Sequence, residues 1–316
     1  MEILVDHKFI GQRVDVFLSS KLPEYSRSQI QRSTKQERVE KDGQPINQNY
    51  KVQLGDVFDF NPPLPRSADI VSENIPISIV YEDEDVLVVN KKAGMVVHPA
   101  AGNWSGTLAN GVLGYFQSKG VPHDRAIPER VGIVHRLDKD TSGIIIVAKD
   151  DQTLDFLQKQ FQERTVIKKY YALVFGLLEN PEGIIQGAIG RSRQNRQKFT
   201  VTEKGKQSET YYKVTNTFKF LIPDFQEISL SFLEVSPKTG RTHQIRVHLS
   251  QLGHSVLGDQ LYGKGQKIIS KKLGVKRQLL HARSLEIVLP SGQKKAFLAD
   301  MPKDMKEVLN TISKFQ

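Results

Sequence analysis

The chain has 316 residues, 38% of them hydrophobic and 25% charged, a balance typical of a soluble globular protein. It contains no cysteine, which excludes disulfides, thiolate catalysis and cysteine-based zinc sites. The formal net charge of +10 favours a polyanionic partner, with nucleic acid as the first candidate. A merely basic protein would carry the same charge, so composition alone does not decide between these two classes.

No segment predicts export or membrane insertion. The opening Met-Glu-Ile-Leu-Val-Asp lacks the apolar stretch of a signal peptide. No apolar run approaches the length of about 18 residues that a membrane-spanning helix needs. We therefore expect a cytoplasmic protein without a membrane partner, and the absence of cysteine agrees with a reducing compartment.

The first sixty residues predict two short helices. Apolar residues recur at helical spacing in the first, at Val14, Phe17, Leu18 and Leu22, and Pro23 ends it. Ser26 has the N-cap position of the second helix, with Gln29 three residues later as in a capping box. Cations dominate this second helix and the residues after it, namely Arg27, Arg32, Lys35 and Arg38.

A small hairpin and a strand complete this region. Asp42-Gly43 is a hairpin turn signal, and Leu54–Phe60 alternates as a strand does. Two helices, the second of them basic, followed by a small hairpin resemble an S4 RNA-binding domain. The resemblance implies that the four cations track RNA phosphates rather than read bases. A solvated helix face is the alternative interpretation.

Three prolines in four residues follow, in Asn61-Pro62-Pro63-Leu64-Pro65. Such a run favours an extended, semi-rigid spacer. We therefore expect an S4-like domain over residues 1–61, a linker over 62–75 and a large domain over 76–316.

The large domain is expected to begin with a hairpin and a helix. Ile77–Tyr81 and Val86–Val89 read as two strands joined by an acidic turn. Thr107 is a suitable N-cap for a helix that places Leu108, Val112 and Tyr115 on one face.

A specific motif lies in the segment Val131–Val147. Two β-branched runs flank a short polar loop that carries Arg136, Asp138 and Asp140, which predicts strand, loop and buried strand. An ordinary charged turn would have a similar composition. However, the order His-Arg-Leu-Asp-x-x-Thr-Ser-Gly over residues 135–143 resembles the signature of the RluA/RluD family of RNA pseudouridine synthases. The resemblance implies that Asp138 is the catalytic nucleophile, that Arg136 fills the space left by a flipped base, and that His135 contacts RNA.

The resemblance extends along the chain. After a predicted amphipathic helix with Leu154, Leu157 and Phe161, the strand Lys168–Gly176 carries Lys-x-Tyr-x-Ala. This pattern matches Tyr170 to the family's active-site tyrosine. Tyr171 points to the opposite face of the strand and is expected in the core.

A loop without carboxylates follows further on. Gly190–Lys198 carries three arginines, Arg191, Arg193 and Arg196, and is either a phosphate-contacting loop or an exposed turn.

A second motif, Lys238–His248, opens a helix with Ile245, Leu249 and Leu252 on its apolar face. Arg246 lies next to that face, and a buried arginine needs a carboxylate partner. The resemblance pairs Arg246 with Asp138 and places Ile245 in the base pocket.

Three segments complete the chain. Gly258–Gly265 nearly matches a phosphate-binding loop but lacks the required Ser or Thr, so we reject nucleotide binding there. Ile268–Gln278 is a candidate RNA-contacting insertion with Lys271, Lys272, Lys276 and Arg277. A closing strand near Leu279–Arg283 and a helix over Pro302–Leu309 are expected to follow.

The expected fold is α+β, with a mixed, mainly antiparallel central sheet flanked by helices and preceded by the small S4-like domain. The expected function is pseudouridine formation in RNA, most closely like the branch that modifies bacterial large-subunit ribosomal RNA. The reaction needs no cofactor, no metal-ligand spacing is present, and we expect a monomer. The alternatives are a transfer-RNA enzyme, a non-catalytic ribosome-assembly factor, and a hydrolase using His135, Asp138 and Ser142.

Overall fold

The computed structural model describes residues 2–22, 25, 27–35, 37–47, 49–61, 70–100, 102–120, 129–195, 197–221, 227–263 and 265–314. The chain divides into two compact units, Met1–Asp69 and Ile70–Gln316. Most of the expected linker, residues 62–69, lies outside the described residues. Its end belongs to the large unit, because the Asn110 side chain donates a hydrogen bond to the carbonyl of Val71.

The small unit combines two helices with a four-stranded antiparallel sheet. Its elements are β1 (Glu2–Leu4), α1 (Val14–Lys21), α2 (Arg27–Lys35), β2 (Val39–Lys41), β3 (Gln44–Pro45) and β4 (Val57–Phe60), with strand order β1-β4-β2-β3. The helical spacing of Phe17 and Leu18 buries both in one core with Ile30 and Phe58. Both helices and the Asp42-Gly43 hairpin are confirmed, whereas the predicted N-cap Ser26 lies outside the described residues.

The large unit begins with β5 (Ile79–Glu82), β6 (Val86–Lys91), α3 (Leu108–Ser118), β7 (Ser142–Ala148), α4 (Asp151–Glu163) and β8 (Ile167–Phe175). It continues with β9 (Glu182–Arg191), β10 (Phe199–Val201), β11 (Lys206–Phe220), β12 (Ile228–Pro237) and α5 (Gln244–Gln251). The last elements are α6 (Lys267–Lys272), β13 (Leu280–Val288), β14 (Lys294–Leu298) and α7 (Lys303–Ser313). The predicted hairpin, the helices at 108 and 151 and the C-terminal helix are therefore confirmed.

One large sheet runs through this unit in the order β10-β9-β11-β12-β8-β13-β7-β6-β5, and β14 pairs with β13. The β13–β7 pairing is parallel and the other pairings are antiparallel, which confirms the expected mixed sheet. All seven residues of β7 are buried. Ile145 and Val147 pack in one core with α3, and Ile144 and Ile146 pack in another with α4.

Gly143 allows β13 to approach the beginning of β7. Its φ is +119°, and a Cβ added there would lie 2.2 Å from the carbonyl oxygen of Ala282. Any larger residue would therefore push the two strands apart at the end of the motif loop.

The predicted strand before the motif loop is wrong. Residues Glu129–Gly132 form a 3₁₀ helix, Val131 has a φ of +57°, and only Ile133 bridges to Val147. The edge of β7 opposite β6 pairs with β13 only at Ser142 and Gly143, so the reason lies in the backbone before the loop. Val131 and Gly132 have φ values of +57° and +69°, which break an extended conformation, so the apolar side chains of Val131 and Ile133 pack in the core without a strand.

Candidate active site

Hydrogen bonds to the backbone carbonyls of the motif loop fix the position of Asp138. The Asp138 carbonyl accepts a hydrogen bond from the Thr141 N–H, and the Lys139 carbonyl accepts one from the Gly94 N–H. The ammonium of Lys91, a residue only 1% exposed, donates to the same Lys139 carbonyl at 3.0 Å. A loop tied in this way keeps its carboxylate in one place.

Arg246 is buried in α5 and contacts two carboxylates. Its Nη1 donates to Asp138 Oδ2 at 2.9 Å, so the pair predicted from the motif is confirmed. Its Nε and Nη2 donate to the two oxygens of Asp259, at 2.6 and 2.9 Å. Sequence reasoning missed Asp259, although an arginine has five donors and one carboxylate cannot satisfy them all.

These charges stabilise one another. Burial alone would raise the pKa of Asp259, but hydrogen bonds from Arg246 outweigh it and hold that pKa below its ordinary value. Burial likewise opposes the charge of Arg246, yet the two carboxylates raise its pKa. Within the described residues, Asp138 Oδ1 has no hydrogen-bond partner. That oxygen is therefore available to a substrate while Oδ2 is held.

A cleft of about 570 Å³ opens beside Asp138 and brings together residues from four separate segments. Among those that line it are Asp138, Arg136, Tyr170, Ile245, Arg246 and His243. The predicted residues of both motifs and of β8 thus meet at one place, with Arg136 exposed and Ile245 buried.

The two adjacent tyrosines of β8 separate as predicted. Tyr170 lines the cleft, whereas Tyr171 packs against Phe232 with ring centroids 5.1 Å apart. Burial, with a smaller contribution from the charge of Asp138, raises the pKa of Tyr170. Its hydroxyl therefore stays protonated at neutral pH and can donate a hydrogen bond.

His135 is held by the protein scaffold. Its ring stacks on Phe161 with centroids 4.8 Å apart, and its Nε2 accepts a hydrogen bond from the Ile146 N–H. Burial lowers the pKa of His135 to about 3, so the imidazole is neutral. These contacts give His135 a role in fixing the motif loop, and because His135 also lines the cleft, its contact with RNA stays a prediction.

The hydrolase alternative is wrong. The Ser142 hydroxyl forms its hydrogen bond with His281 Nδ1 at 2.9 Å, on the neighbouring strand β13. His135 instead contacts the backbone of Ile146. Because the three required side chains do not form a relay, no serine nucleophile is assembled at Asp138.

Arg191 and Arg193, also predicted to contact RNA, do not line the cleft. Arg191 and Arg193 are exposed at the end of β9, and the Arg191 guanidinium lies over the Phe199 ring. In the small unit Lys35 is exposed, and Arg27 donates to the buried carboxylate of Asp15 at 3.0 Å. Arg38 is partly buried. Arg196 and the side chain of Arg32 lie outside the described residues.

Arg277 corrects the interpretation of the segment Ile268–Gln278. It is 8% exposed, forms a two-pronged pair with Asp304, and donates from Nη1 to the Asp140 carbonyl. It therefore supports the motif loop and is not an RNA contact. Lys271 and Lys276 remain exposed around a second cavity of about 280 Å³.

The described residues contain neither a metal-binding cluster nor a membrane-spanning helix. Within the ranges that the structure describes, no group of three or more His, Cys, Asp and Glu side chains could hold a metal ion. Over the same ranges, every helix is too short or too polar to span a lipid bilayer.

Comparison with known proteins agrees with this geometry. Residues 85–251 match the RNA pseudouridylate synthase family, and residues 12–58 match the S4 domain. The chain belongs to the RNA pseudouridine synthase family. An uncharacterized RNA pseudouridine synthase of Bacillus subtilis is 38% identical, over 99% of this chain and 98% of that protein. The ribosomal large subunit pseudouridine synthase D of Zymomonas mobilis is also 38% identical, over 96% and 95%.

Solved structures support the same fold. The structure of human RNA pseudouridylate synthase domain containing 1 aligns with a TM-score of 0.56 and 26% identity. The alignment covers 77% of this chain and 96% of that chain. As a family member, this protein is an isomerase that acts on RNA.

Proposed function

We propose that this enzyme converts specific uridines of bacterial large-subunit ribosomal RNA to pseudouridine, with Asp138 as its catalytic carboxylate. The observation that carries the role of Asp138 is its position in the cleft, with one oxygen held by buried Arg246. The choice of RNA is supported by relatives named ribosomal large subunit pseudouridine synthase D, in Zymomonas mobilis and in Nitrosomonas europaea at 37% identity.

The reaction breaks the bond between N1 of uracil and C1′ of ribose and forms a bond between C5 and C1′. The proton on C5 is lost and N1 gains one, so the change is an isomerisation. No oxidant, reductant or energy source enters this balance. Asp138 acts on the ribose or on the base through the oxygen that Arg246 leaves available. The guanidinium keeps the carboxylate ionised and in one orientation.

The target uridine must leave its stack before Asp138 can reach it, which costs roughly a few kcal/mol. Arg136 is exposed beside Asp138 and is suited to fill the vacated space. Ile245 provides an apolar wall of the cleft for the flipped base. Tyr170 packs on the base and, as a protonated phenol, can donate a hydrogen bond or relay a proton.

The S4 unit and the exposed cations supply affinity that does not depend on sequence. In this proposal Lys35 on α2 and Arg193 after β9 contact phosphates of the RNA. The protein would act as a cytoplasmic monomer, since the reaction needs only one cleft and one RNA.

The test is tritium release from uridine labelled at C5 in large-subunit ribosomal RNA transcripts, with small-subunit and transfer RNA for comparison. We expect release only from the large-subunit RNA. Asp138→Asn should abolish release while folding and RNA binding persist. Asp140→Asn, the same substitution two residues away in the same loop, is the matched control and should keep turnover.

Three outcomes would contradict the proposal. Turnover by Asp138→Asn at the rate of the unchanged protein would exclude Asp138 as the catalytic carboxylate. Release from transfer RNA alone would show that the substrate is transfer RNA and not ribosomal RNA. Tight binding of ribosomal RNA without any release would favour a ribosome-assembly role.

A further inference from the structure

His243 is a cleft residue that the proposed chemistry leaves unused. It immediately precedes α5, and its side chain is 16% exposed. Its backbone is left-handed, with φ of 57° and ψ of 18°, a conformation that a residue with a side chain rarely adopts. Strain of this kind persists where surrounding contacts hold it and is common at functional sites.

The imidazole lies between Tyr262 and Asp138. Its Nδ1 is 2.9 Å from the Tyr262 hydroxyl, and its Nε2 is 3.9 Å from Asp138 Oδ2. Tyr262 is itself fixed, because its N–H donates to Asp259 and its ring lies under the Arg246 guanidinium at 5.1 Å. Asp138, Arg246, Asp259, Tyr262 and His243 thus form a closed ring of neighbours.

The hydrogen bonds of Tyr262 decide which nitrogen of His243 carries the proton. The backbone N–H of Phe199 donates to the Tyr262 oxygen at 2.8 Å, so that oxygen is already an acceptor. The hydroxyl proton needs an acceptor of its own, and within the described ranges His243 Nδ1 is the one that is present. The hydroxyl therefore donates to Nδ1, and the ring proton sits on Nε2, the nitrogen nearer Asp138.

His243 is also kept neutral. Burial lowers its pKa, and the positive charges of Arg246 on its own helix and of Arg136 on the motif loop act in the same direction. The carboxylates of Asp138 and Asp259 oppose them, but the net pKa stays below that of an ordinary histidine. Protonation would also place a proton on Nδ1 and leave the Tyr262 hydroxyl without its acceptor.

We propose that His243 is a positioning residue for Asp138. Tyr262 holds His243 in the Nε2–H tautomer, so that the Nε2–H donates to Asp138 Oδ2 when RNA closes the cleft. Catalytic hydrogen bonds are often long without substrate and tighten in the complex, which fits the 3.9 Å separation. Arg246 and His243 would then hold Oδ2 from two sides and leave Oδ1 for the reaction. This inference rests on the proposal that Asp138 is the catalytic carboxylate.

The neutral state matters for the reaction. A protonated His243 would place a second cation beside Asp138 and make the carboxylate a weaker base. Turnover should therefore fall as the pH drops through the pKa of His243, although the protein stays folded. A purely structural histidine would affect stability without this effect on the pH profile.

The test uses single-turnover tritium release across pH 5 to 8 with three variants of the full chain. His243→Asn keeps a residue that tolerates the left-handed backbone and can reach Tyr262, but its amide is too short to reach Asp138. His243→Gln restores a donor near the Nε2 position and cannot be protonated. Tyr262→Phe keeps the ring against Arg246 and removes the hydroxyl that fixes the tautomer.

We expect His243→Asn to lower the turnover rate roughly tenfold to a hundredfold, with little change in RNA affinity. His243→Gln should recover most of that loss and should lack the fall in rate that His243 causes at acidic pH. Tyr262→Phe should move this fall to higher pH, because the neutral imidazole loses the hydrogen bond that favours it.

The inference is overturned if His243→Asn turns over like the unchanged protein, or if His243→Gln is as slow as His243→Asn. An unshifted acidic limb in Tyr262→Phe would also overturn it, and this measurement remains decisive if the His243 variants do not fold. Asp138→Asn, measured in parallel, separates a failure of the proposed role of Asp138 from a failure of the role of His243. If that variant is active, the proposed role of Asp138 fails first, whereas an inactive Asp138→Asn beside a normal His243→Asn refutes only the role of His243.

Discussion

Replacing Arg246 by methionine tests whether the buried charges are held by one another. Arg246 is 5% exposed, and its removal leaves the fully buried Asp259 side chain without its counter-ion. Removing one partner of a buried ion pair costs about 3–5 kcal/mol of folding free energy. The backbone N–H groups of Leu261 and Tyr262 still donate to Asp259, so we expect the lower end, about 3 kcal/mol.

The double variant Arg246→Met with Asp259→Asn separates stability from chemistry. Asparagine is neutral, and its carbonyl oxygen can keep the two backbone hydrogen bonds that Asp259 Oδ1 accepts. We expect the double variant to regain about 2 kcal/mol of the loss, since replacing both members of a buried pair is often nearly neutral. Turnover should stay low in both variants, because Asp138 has lost the donor to Oδ2.

Urea unfolding of the full chain gives the free energy of unfolding, which is compared between variants that share the same dependence on denaturant. Tritium release is measured alongside. The reasoning fails if the double variant is no more stable than Arg246→Met, since the cost would then not come from the charge of Asp259. It fails equally if Arg246→Met releases tritium at the original rate.

Three further outcomes are expected. Tyr170→Phe should lower tritium release with unchanged unfolding, whereas Tyr171→Phe, on the core face of the same strand, should leave release intact. Lys35→Ala should reduce the salt dependence of RNA binding by about one phosphate contact, and an unchanged slope in a salt titration would remove Lys35 from the RNA surface. Burial lowers the pKa of His281 to about 4, so the unfolded chain takes up this proton first as the pH falls. Stability should therefore drop below pH 6.5 by about 1.4 kcal/mol per pH unit from this residue, and His281→Gln should remove this contribution from the fall in unfolding free energy that urea titrations measure between pH 6.5 and 4.

The central pair of the site could be predicted because its signals are local. Asp138 lies in a long motif of defined order, and Arg246 lies beside the apolar face of a helix, where a charge requires a partner. The two-residue period of a strand placed Tyr170 and Tyr171 on opposite faces, and the resemblance to the family's Lys-x-Tyr-x-Ala pattern assigned Tyr170 to the site. In each case a short motif was enough, because its resemblance to the family assigned the role.

The supporting residues could not be predicted, because only the folded chain brings them to the site. Asp259 follows a glycine in a segment that we considered only as a phosphate loop. Arg277 lies among lysines in sequence and therefore looked like an RNA contact, yet burial and Asp304 give it a structural role. The β-branched run at 131–134 favoured a strand, but the left-handed backbone of Val131 breaks it.

The site works because three consecutive carbonyls of the motif loop are fixed from different parts of the fold. The Asp138 carbonyl is held within the loop, that of Lys139 by Lys91 at the end of β6, and that of Asp140 by Arg277 before β13. Each of these hydrogen-bond donors lies on or beside a strand of the central sheet, so the loop is held in a fixed position relative to the sheet. A single hydrogen bond to the carboxylate would leave the backbone free to move. Fixing the backbone first is what lets one guanidinium contact select which oxygen of Asp138 meets the RNA.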